Sequence, residues 1–208
     1  MGKRLIAQAV YVPIIYFGTI ILASLFANGY SQVGQQVSEL ALNESTSAGT
    51  VLTVGIFITG LSLVLLGIGM IQSFKSQFII SSFLIILFGI SFLCGALIPM
   101  GSPWHSLYGL SISILLLPFA FLYEMGDTEI SNLTRNLAII VTLIIFVYFW
   151  DMLAVHFAPA ELRGLTQRIF GVAVFGWFSY SAYILKNLIL KDKNGKVFIE
   201  DDKKPATQ

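Results

Sequence analysis

Charged residues are scarce in this sequence, and their scarcity is the first guide to the class of protein. Only 11% of the 208 residues are charged, whereas 56% are hydrophobic. A soluble domain carries roughly 25% charged residues, so this composition indicates an integral membrane protein. The net charge of +1 also argues against a nucleic-acid partner, which would require a strongly basic surface.

Cysteine and histidine are nearly absent as well. The single cysteine, Cys94, has no partner within the sequence for a disulfide or a paired-thiol redox centre. The two histidines, His105 and His156, are too few for the four-histidine pattern of two-haem membrane cytochromes. They leave open a single haem, or a zinc site completed by Glu39, although no closely spaced ligand motif is present.

What the chain does contain is long apolar stretches, six in all, each near the 20 residues that cross a membrane. The sequence therefore predicts an all-α fold, a single bundle of six transmembrane helices within residues 1–187. The predicted spans are at about 5–27, 50–71, 78–98, 106–123, 136–155 and 167–185, and residues 188–208 form a mobile charged tail. The first stretch is too long for a typical signal peptide, so we expect it to be retained.

The basic residues predict the orientation of the bundle. With the N-terminus inside, ten basic residues lie on the inner side and only Arg163 and Arg168 lie on the outer side. Basic residues favour the cytoplasmic side of a membrane. We therefore expect both termini to be cytoplasmic.

A polar turn between the third and fourth spans, residues 99–109, is the centre of the predicted site. Ser102 is expected to cap a helix with Pro103 at its first position. His105 then lies in the first helical turn, near the outer face and at the positive end of the helix dipole.

Other polar side chains gather at the same predicted face. Arg168, Arg163 and the helix N-termini are expected to hold an anionic group of a ligand, because both guanidinium groups and helix N-termini attract anions. We expect Glu39 and His105 to act as an acid/base or hydrogen-bonding pair. An ion pair between Asp151 and Arg168 is the structural alternative. The remaining candidate ligand-binding residues are Ser38, Ser102, Trp104, Asp151 and Gln167.

Four short motifs occur in order along the chain and resemble those of one family. They are Val37-Ser38-Glu39-Leu40, Ile98-Pro99, His105-Ser106-Leu107-Tyr108-Gly109 and Gly164-Leu165-Thr166-Gln167-Arg168. The pattern resembles the prokaryotic six-span integral membrane family known as domain of unknown function 998. The resemblance implies a multi-pass protein of the prokaryotic plasma membrane, with a shared outer-face site at Glu39, His105 and Arg168. It brings no established activity, and the sequence does not identify a cofactor.

These observations predict a polar pocket at the outer face that binds or processes a lipid or another amphipathic small molecule with an anionic group. Two alternatives to ligand binding remain open. In the first, the chain is a non-catalytic membrane subunit whose outer loops contact a protein partner. In the second, it is a membrane enzyme that uses a metal or haem. A Ser-His-acid hydrolase built on Ser38 or Ser102 is also weighed, but no nucleophile elbow is present.

Overall fold

The computed structural model describes residues 1–42, 46–98, 102–126, 130–155 and 157–193, and in these ranges the chain is helical without strands. The all-α prediction is confirmed. The six helices of the described chain, α1 to α6, are Gly2–Ser24, Thr46–Phe74, Ile79–Leu97, Leu117–Met125, Asn132–Trp150 and Arg163–Lys193.

Several segments of the described chain depart from α-helical geometry. A long 3-10 helix, Pro103–Leu116, runs directly into α4, and α5 continues into a π-helical turn, Asp151–Val155. Short 3-10 turns lie within α1 at Ala9–Tyr11 and in the loops at Val37–Leu40 and Ala160–Leu162. The loop that contains Val37–Leu40 connects α1 to α2.

Five of the described helices are long and apolar enough to cross a membrane, which supports a multi-pass membrane protein. The exception is α4, with only nine residues. The sequence predicts one helical span over residues 106–123, and the structure replaces it by the 3-10 helix followed by α4. The change of geometry occurs beside Pro118, whose missing N–H is tolerated in the first turn of an α-helix and nowhere later.

The predicted start of this segment is confirmed. The Ser102 hydroxyl accepts a hydrogen bond from the Trp104 backbone N–H at 3.3 Å, and Pro103 occupies the first position. At the other end of the chain, α6 continues to Lys193, beyond the predicted span end at residue 185. Hydropathy indicates where the apolar part of the helix ends, but not where the helix itself ends. The lysine, leucine and aspartate residues that follow residue 185 continue the helix beyond its apolar part.

Close approach between α2 and α3 sets the central packing of the bundle. A Cβ atom on Gly60 would lie 2.9 Å from the Gly89 carbonyl oxygen, and one on Gly89 would lie 2.9 Å from the Gly60 carbonyl oxygen. Such contact requires glycine on both helices. Lipid supplies no hydrophobic drive between helices, so van der Waals contact of this kind stabilises the pair.

Some of the buried hydroxyl groups in the helices hydrogen-bond to the preceding turn of their own helix, whereas those of Ser81 and Ser181 have no partner among the described residues. Thr59 donates to the Gly55 carbonyl at 2.8 Å, and Thr142 donates to the Ala138 carbonyl at 2.8 Å. Between helices, the Gln8 side chain donates to the Ser62 carbonyl at 2.8 Å. A polar group without a partner is costly in hydrocarbon, so these bonds make the buried polar residues compatible with a membrane.

The α2–α3 contact gives a direct test. Gly60→Ala should lower the free energy of unfolding by about 1–3 kcal/mol, because the new methyl group meets backbone atoms that cannot move aside. Thermal unfolding of the detergent-solubilised protein, followed by circular dichroism, measures the change. Gly18→Ala is the matched control, since nothing lies within 4 Å of a Cβ atom there. Equal melting temperatures for the two variants would contradict the close contact.

Candidate functional site

The α1–α2 loop is held against the beginning of α6 by one arginine. Arg168 donates four hydrogen bonds: Nε to Gln32 Oε1 at 2.9 Å, Nη1 to the Gln35 carbonyl at 2.9 Å and to the Gly164 carbonyl at 2.7 Å, and Nη2 to the Tyr30 hydroxyl. A guanidinium has five N–H donors. Four of the five are therefore directed at the chain itself. We call these five residues the Arg168 cluster and the end of the bundle that contains it the Arg168 end.

The same loop also contacts the backbone of α6 closely. A Cβ atom on Gly164 would collide with the Gln35 carbonyl oxygen and lie 2.7 Å from that of Gln32. The Leu165 N–H donates to the Val33 carbonyl at 2.8 Å. The loop therefore accepts hydrogen bonds from the N-terminus of α6, where backbone N–H groups have no partner within the helix.

Tyr30 is a partly buried titratable residue of the Arg168 cluster, and it lies in the α1–α2 loop outside the spans. Burial raises the pKa of its phenol above the usual value, and the Arg168 charge opposes this shift only in part. Tyr30 therefore stays protonated at neutral pH. Its hydroxyl donates to the Gln36 carbonyl at 3.1 Å while it accepts from Arg168.

The two acidic candidates of the described chain have local structural partners. Glu39 Oε1 accepts from the Gln36 N–H at 2.8 Å and so caps the short 3-10 turn. Asp151 Oδ1 accepts from the Ala158 N–H at 2.8 Å, which holds the α5–α6 loop. Three of the four Arg168 hydrogen bonds go to the α1–α2 loop and the fourth goes to the Gly164 carbonyl of α6. None of the four goes to Asp151, and the alternative ion pair stays a prediction.

A cavity of about 270 Å³ lies beside the Arg168 cluster, inside the bundle. Aromatic residues from four elements form much of its wall, including Tyr16 of α1, Phe88 of α3, Phe149 of α5 and Phe175 of α6. The Tyr16 and Phe175 ring centroids are 4.0 Å apart. This volume exceeds the ~150 Å³ of an apolar cavity that binds benzene.

The polar side chains of the cavity wall are all neutral among the residues that the structure describes. They are Tyr16, Gln36, Ser38, Thr53, Ser111, Tyr148 and Gln167. Gln167 uses its amide oxygen to accept from the Val37 N–H at 2.7 Å. Its amide nitrogen has no hydrogen-bond acceptor among the described residues, so it can donate to a ligand.

The structure thus divides the sequence-predicted site residues into groups. Ser38 and Gln167 line the cavity. Arg168, Glu39 and Asp151 hold loops, Ser102 caps the 3-10 helix, and Trp104 and Arg163 are exposed. The side chain of His105 and the whole of His156 lie outside the part of the chain that the structure describes. The predicted Glu39–His105 pair and the predicted metal site with both histidines therefore lie outside it as well.

Sequence reasoning missed the partners of Arg168 and the aromatic wall of the cavity. Tyr30, Gln32 and Gln35 occur in a polar stretch without basic residues, and nothing in that stretch indicates which helix it contacts. Tyr16 and Phe175 are indistinguishable in sequence from other aromatic residues of a span. No group of three or more histidine, cysteine, aspartate or glutamate side chains suited to a metal occurs among the described residues.

Comparison with known proteins supplies a family but no activity. The family model described as "Protein of unknown function (DUF998)" matches residues 10–183, from the first helix to the last. The chain belongs to the DUF998 family. The resemblance inferred from the four motifs is thereby confirmed. No curated protein and no solved structure matches this DUF998 protein.

The arginine bonds of this DUF998 protein predict the effect of a conservative substitution. Arg168→Lys should loosen the α1–α2 loop, because an ammonium on a single nitrogen cannot reach acceptors spread around a planar guanidinium. Loss of such charge-assisted bonds costs about 1–3 kcal/mol, so amide hydrogen exchange over residues 30–37 should accelerate roughly tenfold or more. Mass spectrometry of the exchanging protein measures this. Arg163→Lys, at an exposed position, serves as control. Unchanged exchange in Arg168→Lys would contradict the anchoring role.

Proposed function

We propose that this protein is a multi-pass membrane protein that binds a lipid or another amphipathic small molecule in the cavity beside the Arg168 cluster. The observation that carries the proposal is the cavity itself, an aromatic-walled space inside a bundle whose helices elsewhere approach to backbone contact. Ligand sites in proteins are typically concave, mostly apolar and supplied with a few polar groups. The cavity has all three properties.

The absence of charged side chains from the described cavity wall indicates that the cavity accepts a neutral group. The described wall is neutral, and the Arg168 guanidinium directs four of its five N–H donors to protein acceptors. An anionic group in the cavity would therefore lie without a counter-charge, which is costly in a low-dielectric site. The proposal accordingly assigns the apolar part of the ligand to the aromatic wall, and a hydrogen-bonding polar part to Gln36, Ser38 and Gln167.

An anionic headgroup, if the ligand has one, would then lie outside the cavity near the exposed Arg163. Catalysis by Glu39 and His105 stays a prediction of the sequence. The alternatives of a protein partner, a metal or a haem likewise stay predictions, and the mass measurement below distinguishes them because each adds a different mass to the chain.

Six membrane crossings with both termini on the cytoplasmic side are part of the proposal. The 3-10 helix and α4 together contain 23 residues, 14 in 3-10 and nine in α geometry. At ~2.0 Å and ~1.5 Å of rise per residue, they extend about 40 Å, more than the ~30 Å hydrocarbon core. This length supports a fourth crossing despite the short α4, and the placement of basic residues supports the sidedness.

The orientation predicts which positions react with an impermeant reagent. In a Cys94→Ser chain, Ser38→Cys should be labelled by a membrane-impermeant maleimide on intact cells, since Ser38 is exposed at the Arg168 end. Lys75→Cys, in the α2–α3 turn on the proposed cytoplasmic side, should be labelled only after the membrane is permeabilised. The reverse pattern would invert the proposed topology.

Filling the cavity tests the binding proposal. Ala96 lines the cavity on α3, and Ala96→Phe should displace the ligand by occupying its space. Native mass spectrometry of protein extracted in mild detergent should find a retained lipid or amphiphile on the parent chain, reduced at least about tenfold in the variant, since overpacking of 1–3 kcal/mol weakens binding by that order.

The matched control for this experiment is the neighbouring residue. Leu97 is 65% exposed and does not line the cavity, so Leu97→Phe should retain the ligand. A parent chain that carries no small molecule, or an Ala96→Phe variant that retains it in full, would refute the proposal. A stoichiometric protein partner in place of a lipid would favour the subunit alternative.

A further inference from the structure

An apolar groove on the surface of the bundle lies beside the cavity. The groove has a volume of about 350 Å³ and is lined by Ile112, Leu115, Phe146, Phe149, Trp150 and Leu153. Three of these residues, Ile112, Phe149 and Leu153, also line the cavity. The two spaces therefore share a wall between the 3-10 helix and the end of α5.

The groove faces the region that a bilayer would occupy. Ile112 is 50% exposed, Trp150 51% and Leu153 65%, and all three belong to segments that the proposed topology places in the membrane. Every described lining residue of the groove is hydrophobic. In a membrane, an apolar surface of this kind is covered by lipid acyl chains. The groove is therefore suited to an acyl chain rather than to a polar solute.

The backbone on both sides of the groove is irregular. The 3-10 helix on one side runs for 14 residues, whereas 3-10 segments longer than three or four residues are uncommon. On the other side, the π-helical turn Asp151–Val155 places Met152 and Leu153 at the cavity. Both geometries are less stable than the α-helix, and π-helical turns frequently occur at functional sites. The two walls of the groove thus contain segments of the described bundle that depart from α-helical geometry.

We propose that this groove is a lateral portal through which the acyl chain of a bilayer phospholipid enters the cavity from the membrane. The inference rests on the proposed function and adds two things to it, the class of ligand and its route. The headgroup remains at the membrane surface near the Arg168 end, while one acyl chain passes between Ile112 and Leu153. No bond is made or broken in this step.

Lipid exchange in a bilayer tests the route. The purified full chain with its retained lipid is reconstituted into vesicles of phosphatidylethanolamine and phosphatidylglycerol with perdeuterated acyl chains. Native mass spectrometry then follows the replacement of the retained lipid by its heavier equivalent. Leu153→Trp should slow this replacement roughly tenfold, because a larger side chain at the portal raises the barrier to passage. The exchange rate of each variant is normalised to its own amount of bound lipid.

Three further variants make the result decisive. Leu143→Trp, also on α5 and 57% exposed but not in the groove, should exchange like the parent chain. Ile112→Trp repeats the block from the opposite wall, in case Leu153→Trp does not fold. Leu42→Trp enlarges an exposed side chain of the α1–α2 loop at the Arg168 end, outside the cavity wall, and should leave the rate unchanged.

The outcomes separate the route from the binding site. If Leu153→Trp and Ile112→Trp exchange at the parent rate while Ala96→Phe removes the lipid, the lateral portal is overturned and the cavity site stands. Slower exchange in Leu42→Trp alone would place entry at the Arg168 end and would also overturn the portal. If Ala96→Phe retains the lipid, the proposed binding site itself fails, and the portal fails with it.

Discussion

The hydrogen bonds of Arg168 are the interaction on which the cavity depends. The guanidinium joins the loop after α1 to the first turns of α6, and Gly164 allows the loop carbonyls to approach the helix backbone. This places Gln36, Val37 and Ser38 over the cavity. Because a charge near hydrocarbon is costly without hydrogen-bond partners, the loop and the arginine stabilise each other. Neither would hold its position alone.

A second constraint is that all backbone polar groups within a membrane need internal partners. The described helices meet it with regular α geometry except at the 3-10 turn within α1, at the 3-10 helix Pro103–Leu116 and at the π-helical turn that ends α5. The last two border the cavity, which is lined there by Gly109, Ser111 and Leu153.

The sequence predicted the features that follow from local composition. Apolar length predicted the helices, and Ser102 with Pro103 predicted the start of the 3-10 segment. The sequence did not predict that Arg168 would bind Tyr30, Gln32 and Gln35, because those residues are more than 130 positions away and no motif links them to α6. It also did not predict the 3-10 geometry before Pro118, since the same apolar residues fit an α-helix equally well.

The separation of charge from cavity is the last consequence of these constraints. Sequence reasoning grouped Arg168, Glu39 and Asp151 with the ligand because ionisable residues at membrane depth are usually functional. In the folded chain, each of the three instead satisfies backbone or side-chain groups of a loop. The hydrogen-bonding groups of these side chains are therefore engaged by the protein, and the nearby cavity has a neutral described wall. The proposed recognition there rests on shape, apolar contact and neutral hydrogen bonds, which suit an acyl chain better than an ion.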